Sequence, residues 1–187
     1  SRGLPLSAAE RLKPWVLLSM IAIPRCEQTR IAAGMPVLDD RIAARAEAAG
    51  IAVKGLETYE DAFAAFDQLS EREMTALLVD GFVTADVEED LRRTLESLYT
   101  QGEIAAIMEF NIWYSESRGR IADSRASGAA LQRALMEGRN RKWMDPLLVE
   151  LSGGGVFAAF GALHLPGETG IVELLRARGF TVTRVPL

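Results

Sequence analysis

The chain is 187 residues long, 49% hydrophobic, with a formal net charge of -5. That length suits one domain with a core able to fold alone, and the apolar content argues against disorder. The acidic balance, with no basic patch interleaved by aromatics, argues against a nucleic-acid binder, and the single Cys26 leaves neither an intrachain disulfide nor a Cys-based zinc site.

Pro14 suits the first turn of a helix running to about Ala22. The apolar run 15–23 ends at Pro24, far short of the roughly 20 residues that cross a bilayer. It also lacks a basic n-region and a cleavage site, so a buried helix accounts for it better than a signal peptide. Residues 24–36 read as a connection or an irregular hairpin punctuated by Gly34 and Pro36. Asp39 or Asp40 can cap a helix over 41–49, with Gly50 at its C′ position. A short strand over 51–56 follows, and Glu57 lies at its end. Thr58 with Asp61 forms a capping-box pattern for a helix over 59–68, and Ser70 with Glu73 opens another through about Phe82. Asp86 can cap the next helix, whose Val87, Leu91, Leu95 and Leu98 share one face. Glu88, Glu89 and Asp90 sit in its first turn, where the helix dipole favours them.

Trp113 and Tyr114 lie in a helix-like stretch and read as packing residues. A long helical region over 126–148 carries Arg139, Asn140 and Trp143, with an interruption near Gly138 or Pro146. Gly153-Gly154-Gly155 precedes a strand instead of a helix, the wrong order for a phosphate cradle, so a tight turn is the reading. Ser152 lacks a nucleophile-elbow context. A strand over 156–160 leads into Gly161-Ala162-Leu163-His164-Leu165-Pro166-Gly167, which holds the chain's one histidine. A helix over 170–178 and a last strand over 180–184 close the chain. Arg176 and Arg178 fit that helix's last turn.

Strands at both ends around a helical centre predict an α/β fold, α+β by content: a small mixed sheet with a large helical cap over 58–150, all within a single domain 1–187. Glu57 and His164 then each leave the end of a strand, where open sheets bind ligands, and parallel neighbours would bring them to one edge. A carboxylate and an imidazole are suitable ligands for a divalent metal. The bland alternatives stand beside these readings. His164 can be a structural histidine, Glu57 a solvated acid facing a helix dipole, and Arg139 a surface residue stacked on Trp143. The functional alternative for Arg139 is a bidentate grip on Glu57 or on a substrate carboxylate.

Four ordered stretches resemble the TraB/GumN family, related to the Tiki-type membrane-associated peptidases. They are Lys13-Pro14-Trp15; Val37-Leu38-Asp39 through to Gly55-Leu56-Glu57-Thr58; Arg139-Asn140 with Trp143; and the His164 loop with Arg178-Gly179-Phe180-Thr181-Val182. The resemblance implies a metal-dependent hydrolase acting on a peptide bond. Glu57 and His164 would be metal ligands or acid–base groups, Arg139 and Asn140 would orient substrate or acid, and manganese, cobalt or zinc would be the metal. Asp39 matches a family position too, read as a helix cap or ion-pair partner with a site role left open.

The family pattern has two Gly-x-x-His motifs, and this chain carries only the second, Gly161 to His164. The expectation is an N-terminally shortened piece, or a short relative, whose site is incomplete. The rival is a non-catalytic protein of the same fold that sequesters a peptide pheromone or serves export. An extracytoplasmic location follows from the resemblance alone, and a homodimer would follow from an uncovered sheet edge.

Overall fold

The computed structural model describes residues 5–83, 87–117 and 124–185. The described residues form helices joined by turns and segments without regular structure: α1 (Leu6–Ala9), α2 (Pro14–Ala22), α3 (Arg25–Ala32), α4 (Leu38–Ala48), α5 (Tyr59–Ala64), α6 (Glu71–Val83), α7 (Glu88–Thr100), α8 (Ile104–Ser117), α9 (Ser124–Gln132), α10 (Gly138–Leu151) and α11 (Ile171–Arg176). No described helix is long and apolar enough to cross a membrane.

Local chemistry explains several helix starts. Pro14 occupies the first turn of α2. Thr58 caps α5 through a complete capping box: the Asp61 amide donates to Thr58 Oγ1 at 3.1 Å while Asp61 reaches back to the Thr58 amide. Ser70 and Glu73 exchange the same pair of bonds at the head of α6. At α4 the expectation fails. The helix starts earlier, at Leu38, with Val37 as N-cap and no side-chain cap, so Asp39 and Asp40 lie in the first turn and face its dipole instead. Gly50 follows the Ala49 C-cap with φ +71°, the left-handed geometry that favours glycine there. Residues 25–32, expected as a connection, form α3, begun after Pro24 and ended before Gly34. Asp86 lies outside the described residues.

The expected sheet is not present: among the described residues there is no strand, and the fold is helical instead of α/β. Residues 51–55, 155–161 and 180–185 form no regular element, although their β-branched and aromatic content favours extended backbone. A strand, however, needs a neighbour about 4.8 Å away to complete a ladder. Among the described residues no backbone hydrogen bond joins any two of these segments. Ile51, Val53 and Phe157 stay exposed, the last at 79%. What anchors these segments is side chains: Lys54 Nζ donates to Glu150 Oε1 at 2.8 Å, and Arg176 Nη2 to the Val182 carbonyl at 2.9 Å. The sheet edge on which the homodimer expectation rested is likewise absent among the described residues.

Packing joins the helices in sequence and across it. α6 packs on α2 and α9, α8 on α7 and α9, and α10 on α11. Trp15 of α2 stacks on Phe63 and Phe66, with ring centroids 5.0 and 5.3 Å away. The best-buried cluster is Trp143, Met144 and Leu147 of α10 with Ile171 of α11, flanked by Leu56, Phe160, Leu165 and Leu174. That cluster is the platform beneath Arg139, Asn140 and His164.

Candidate functional site

α10 is aimed by what precedes it. Residues Arg133–Glu137 form a π turn between α9 and α10. Such a turn adds a residue to the helical spiral and rotates everything after it, and π turns are frequent at functional sites. Arg139 and Trp143 then stand at i and i+4, and Asn140, Trp143, Met144 and Leu147 fall on the buried face. Pro146 sits inside α10 without ending it, at the cost of one backbone hydrogen bond.

His164 is delivered by a 3-10 turn, Ala162–His164, closed by its own amide donating to the Gly161 carbonyl at 2.9 Å. This turn packs against α8 and the π turn. Beyond it the loop folds back on itself at Gly170, the buried N-cap of α11. A Cβ there would lie 2.3 Å from the carbonyl oxygens of both Leu165 and Pro166. Only glycine fits that approach.

The structure brings Glu57, Arg139, Asn140, Trp143 and His164 together. Arg139 Nε donates to Glu57 Oε1 and Oε2 at 3.1 and 3.2 Å, and Nη2 donates to Oε1 at 2.5 Å. Its Nη1 donates to the Leu135 carbonyl inside the π turn at 3.3 Å. The guanidinium also lies over Trp143, 4.8 Å from the ring centroid, so the gripping and stacking readings of Arg139 hold at once. The other face of the group is the imidazole of His164, 4.5 Å from the Trp143 centroid. Asn140 meets His164 instead of Glu57. Its Nδ2 donates to the carbonyls of His164 and Thr169 at 3.2 and 2.8 Å, and its Oδ1 lies 2.6 Å from His164 Nδ1.

Those Asn140 contacts fix the tautomer of His164. Carbonyls only accept, so the amide nitrogen must face them and Oδ1 must face the ring. Oδ1 is itself only an acceptor, so Nδ1 carries the proton and donates to it. Nε2 is then left with a free lone pair. Burial pushes the imidazole pKa down to about 4, helped by the Arg139 charge and opposed by Glu57. The ring is therefore neutral at pH 7. For Glu57, burial alone would raise the pKa, but the Arg139 hydrogen bonds, the nearby indole N–H of Trp143 and the Arg139 charge outweigh it, and the carboxyl is held below its ordinary range. The indole Nε1 of Trp143 acts on this carboxylate from beyond hydrogen-bond geometry: it is buried and donates to no acceptor among the described residues.

Asp39 joins none of these hydrogen bonds; it is exposed on α4. Two contributors escaped the sequence reading. Thr169 acts through its carbonyl, which no side-chain pattern marks. Gly170 is marked only as the glycine that opens a helix, and the demand for a missing Cβ arises from the fold of the loop.

The donor chemistry fits a metal at two positions, the free Nε2 of His164 and a Glu57 oxygen. Among the described residues no group of three His, Cys, Asp or Glu is placed to hold one, and three is the usual number of protein ligands for catalytic zinc. A model of the TraB/PrgY/gumN family matches residues 1–184. No curated protein and no solved structure matches the chain.

Proposed function

The chain belongs to the TraB/PrgY/gumN family, and on that premise we propose that its Glu57–Arg139–Trp143–His164–Asn140 cluster is the ligand-binding part of a hydrolytic site acting on peptide bonds. The observation that carries this reading is the single lone pair at His164 Nε2, neutral at pH 7 and fixed in direction by Asn140. A metal-binding histidine ordinarily has its other ring nitrogen held by such a partner.

The pKa directions separate two roles that His164 and Glu57 could play. A general base works best near the operating pH. Both groups are held well below it, which makes them weak proton acceptors whose lone pairs are unprotonated at pH 7 and open to a cation. His164 Nε2 and one Glu57 oxygen would hold a divalent cation, which supplies Lewis acidity toward a carbonyl and a more acidic bound water. Arg139 keeps Glu57 ionised and restrains its rotation. Asn140 keeps the proton on Nδ1, so that Nε2 stays open at every pH above about 4. The Trp143 ring, 4.5 Å from the imidazole and 5.9 Å from the Phe160 ring, sets apolar surface beside His164.

A second reading has its own observation. Arg139 engages both oxygens of Glu57, as a structural ion pair would, and a peptide-binding protein without turnover needs no free carboxylate. Calorimetric titration of zinc and of manganese into the chain and into His164→Gln decides between them. Stoichiometric binding lost in the variant supports the hydrolytic reading. Equal binding by both proteins would move the metal elsewhere. No binding by either, with saturable affinity for a peptide and no product, would establish the second reading.

A further inference from the structure

The loop after His164 carries a spatial demand that the side chains of the cluster do not explain. It turns back so tightly that the buried Gly170 faces two carbonyls of its own loop. A Cβ there would stand 2.3 Å from the oxygens of Leu165 and Pro166 and 2.6 Å from the Pro166 carbonyl carbon. These are backbone atoms, so no side-chain rotation relieves the contact and the loop itself must open. Gly170 has φ -72° and ψ 153°, a region open to any residue, so the demand for glycine is one of space alone. Two bonds hold the loop shut around it. The Gly170 amide donates to the Gly167 carbonyl at 2.9 Å, and the Val172 amide to the Leu165 carbonyl at 3.4 Å.

What the closure delivers is the Thr169 carbonyl. Asn140 Nδ2 donates to it at 2.8 Å and to the His164 carbonyl at 3.2 Å. An asparagine amide can sit either way round, and its partners decide which. Here the flipped orientation would set Oδ1 against two carbonyls and leave all three acceptors unpaired in a buried place. Without the Thr169 carbonyl, the longer of the two bonds would decide the orientation alone. The choice matters to the ring. Oδ1 facing Nδ1 requires the proton on Nδ1 and leaves Nε2 open, whereas Nδ2 facing Nδ1 would put the proton on Nε2.

We propose that Gly170 is a positioning residue for His164. By letting the loop close, it holds the Thr169 carbonyl on Asn140 and so selects Nε2 as the open nitrogen of the ring. What Nε2 binds rests on the proposed function; the selection of the nitrogen needs no ligand.

That independence sets the test. His164 is the one histidine of the chain, so a long-range proton–nitrogen-15 spectrum at pH 7, with no metal added, shows its two ring nitrogens alone. Nε2 is told from Nδ1 by its coupling to both ring carbon protons. Wild type should show a protonated Nδ1 and an unprotonated Nε2, with shifts far apart. In Gly170→Ala the two shifts should converge toward their mean as both tautomers become populated. Gly167→Ala is the control. That glycine lies in the same loop at φ +86°, where alanine is strained, but its Cβ would meet nothing within 4 Å. It should lower stability and keep the wild-type ring pattern. A folded Gly170→Ala with the wild-type pattern overturns the proposal. So does equal convergence in Gly167→Ala, since any distortion of the loop then suffices. If Gly170→Ala fails to fold, the wild type is read directly: a coupling across the hydrogen bond from Asn140 Nδ2 to the Thr169 carbonyl carbon supports the proposal, and its absence overturns it. A wild-type ring protonated on Nε2 would remove the proposed function as well, whereas an unchanged Gly170→Ala leaves that function standing.

Discussion

Helices α7 and α10 both present an arginine to a carboxylate, and they put that chemistry to different ends. On α7, Arg92 pairs with Glu89 and with Glu96, and Arg93 also reaches Glu89 at 3.0 Å. The hydrogen bonds from both arginines pull Glu89 down to about 2. Yet its carboxylates, Glu89 and Glu96, are 56% and 60% exposed, with Arg92 alone partly covered at 25%, and screening and side-chain entropy cancel most of what such exposed pairs gain. On α10, Arg139 makes the same fork to Glu57 with side-chain exposures of 23% and 16%, and shares its other face with Trp143. The deeper carboxyl shift belongs to the pair that does less. What distinguishes a site is that the pair is walled, stacked and coupled to a second polar group.

The largest way to test that contrast is to empty the platform under α10. Met144 is 0% exposed within the apolar cluster. Met144→Ala should cost about 3 kcal/mol in denaturant unfolding, from lost burial and the cavity left behind. The same change at Leu95 on α7, which is only half-buried, should cost clearly less. A near-zero effect at Met144 would show that α10 is not the centre of the core. Asn140→Leu comes next, at about 2–3 kcal/mol, because it strands the carbonyls of His164 and Thr169 and the Nδ1 proton together. If packing were its only role, a leucine of similar volume would be tolerated.

The contrast between these helices also explains what the sequence disclosed. The apolar spacing of Leu91, Leu95 and Leu98 announces α7 plainly, and the capping pairs Thr58/Asp61 and Ser70/Glu73 announce α5 and α6, because each depends on residues within one or two turns. α10 is legible as a helix, but its aim is not: the π turn at 133–137 decides which residues face inward, and no local pattern marks it. Glu57, Arg139, Asn140 and His164 were each visible as reactive side chains beside glycines or aromatics. Their pairing, Arg139 to Glu57 and Asn140 to His164, joins residues 82 and 24 positions apart. The strands failed for the same reason. Residues 51–55, 155–161 and 180–185 have the local preference for extended backbone, but a sheet is made by neighbours, and here these segments reach no neighbour that completes a ladder.

Acid should act on the α10 region through two groups in turn. His164 is depressed from 6.5 to about 4 in the folded chain. An unfolded chain therefore takes up the proton first as pH falls, so the native state loses stability from about pH 6.5 down to about pH 4. Glu57 is also depressed, and its stabilising contribution is lost only below about 4.5, as its folded-state carboxyl is protonated. Unfolding midpoints taken at pH 7 and pH 5 should thus fall in wild type and fall less in His164→Gln. Parallel behaviour of the two proteins would place His164 in solvent, against its burial beneath Trp143.

The smallest effect is the sharpest discriminator. Glu57→Gln keeps the shape of the side chain and one acceptor but removes the charge facing Arg139, and should cost about 1 kcal/mol, as for a charge-assisted hydrogen bond in a partly buried place. Glu89→Gln removes the more strongly depressed carboxylate of the two and should leave the thermal midpoint unmoved. Added salt should not change the Glu57→Gln difference much, because the pair is shielded by the Trp143 ring and the π turn, whereas any small effect at Glu89 should vanish with salt. If the two substitutions were equal and equally sensitive to salt, the Glu57–Arg139 pair would be one more surface ion pair. The case for a built site would then rest on His164 and Asn140 alone.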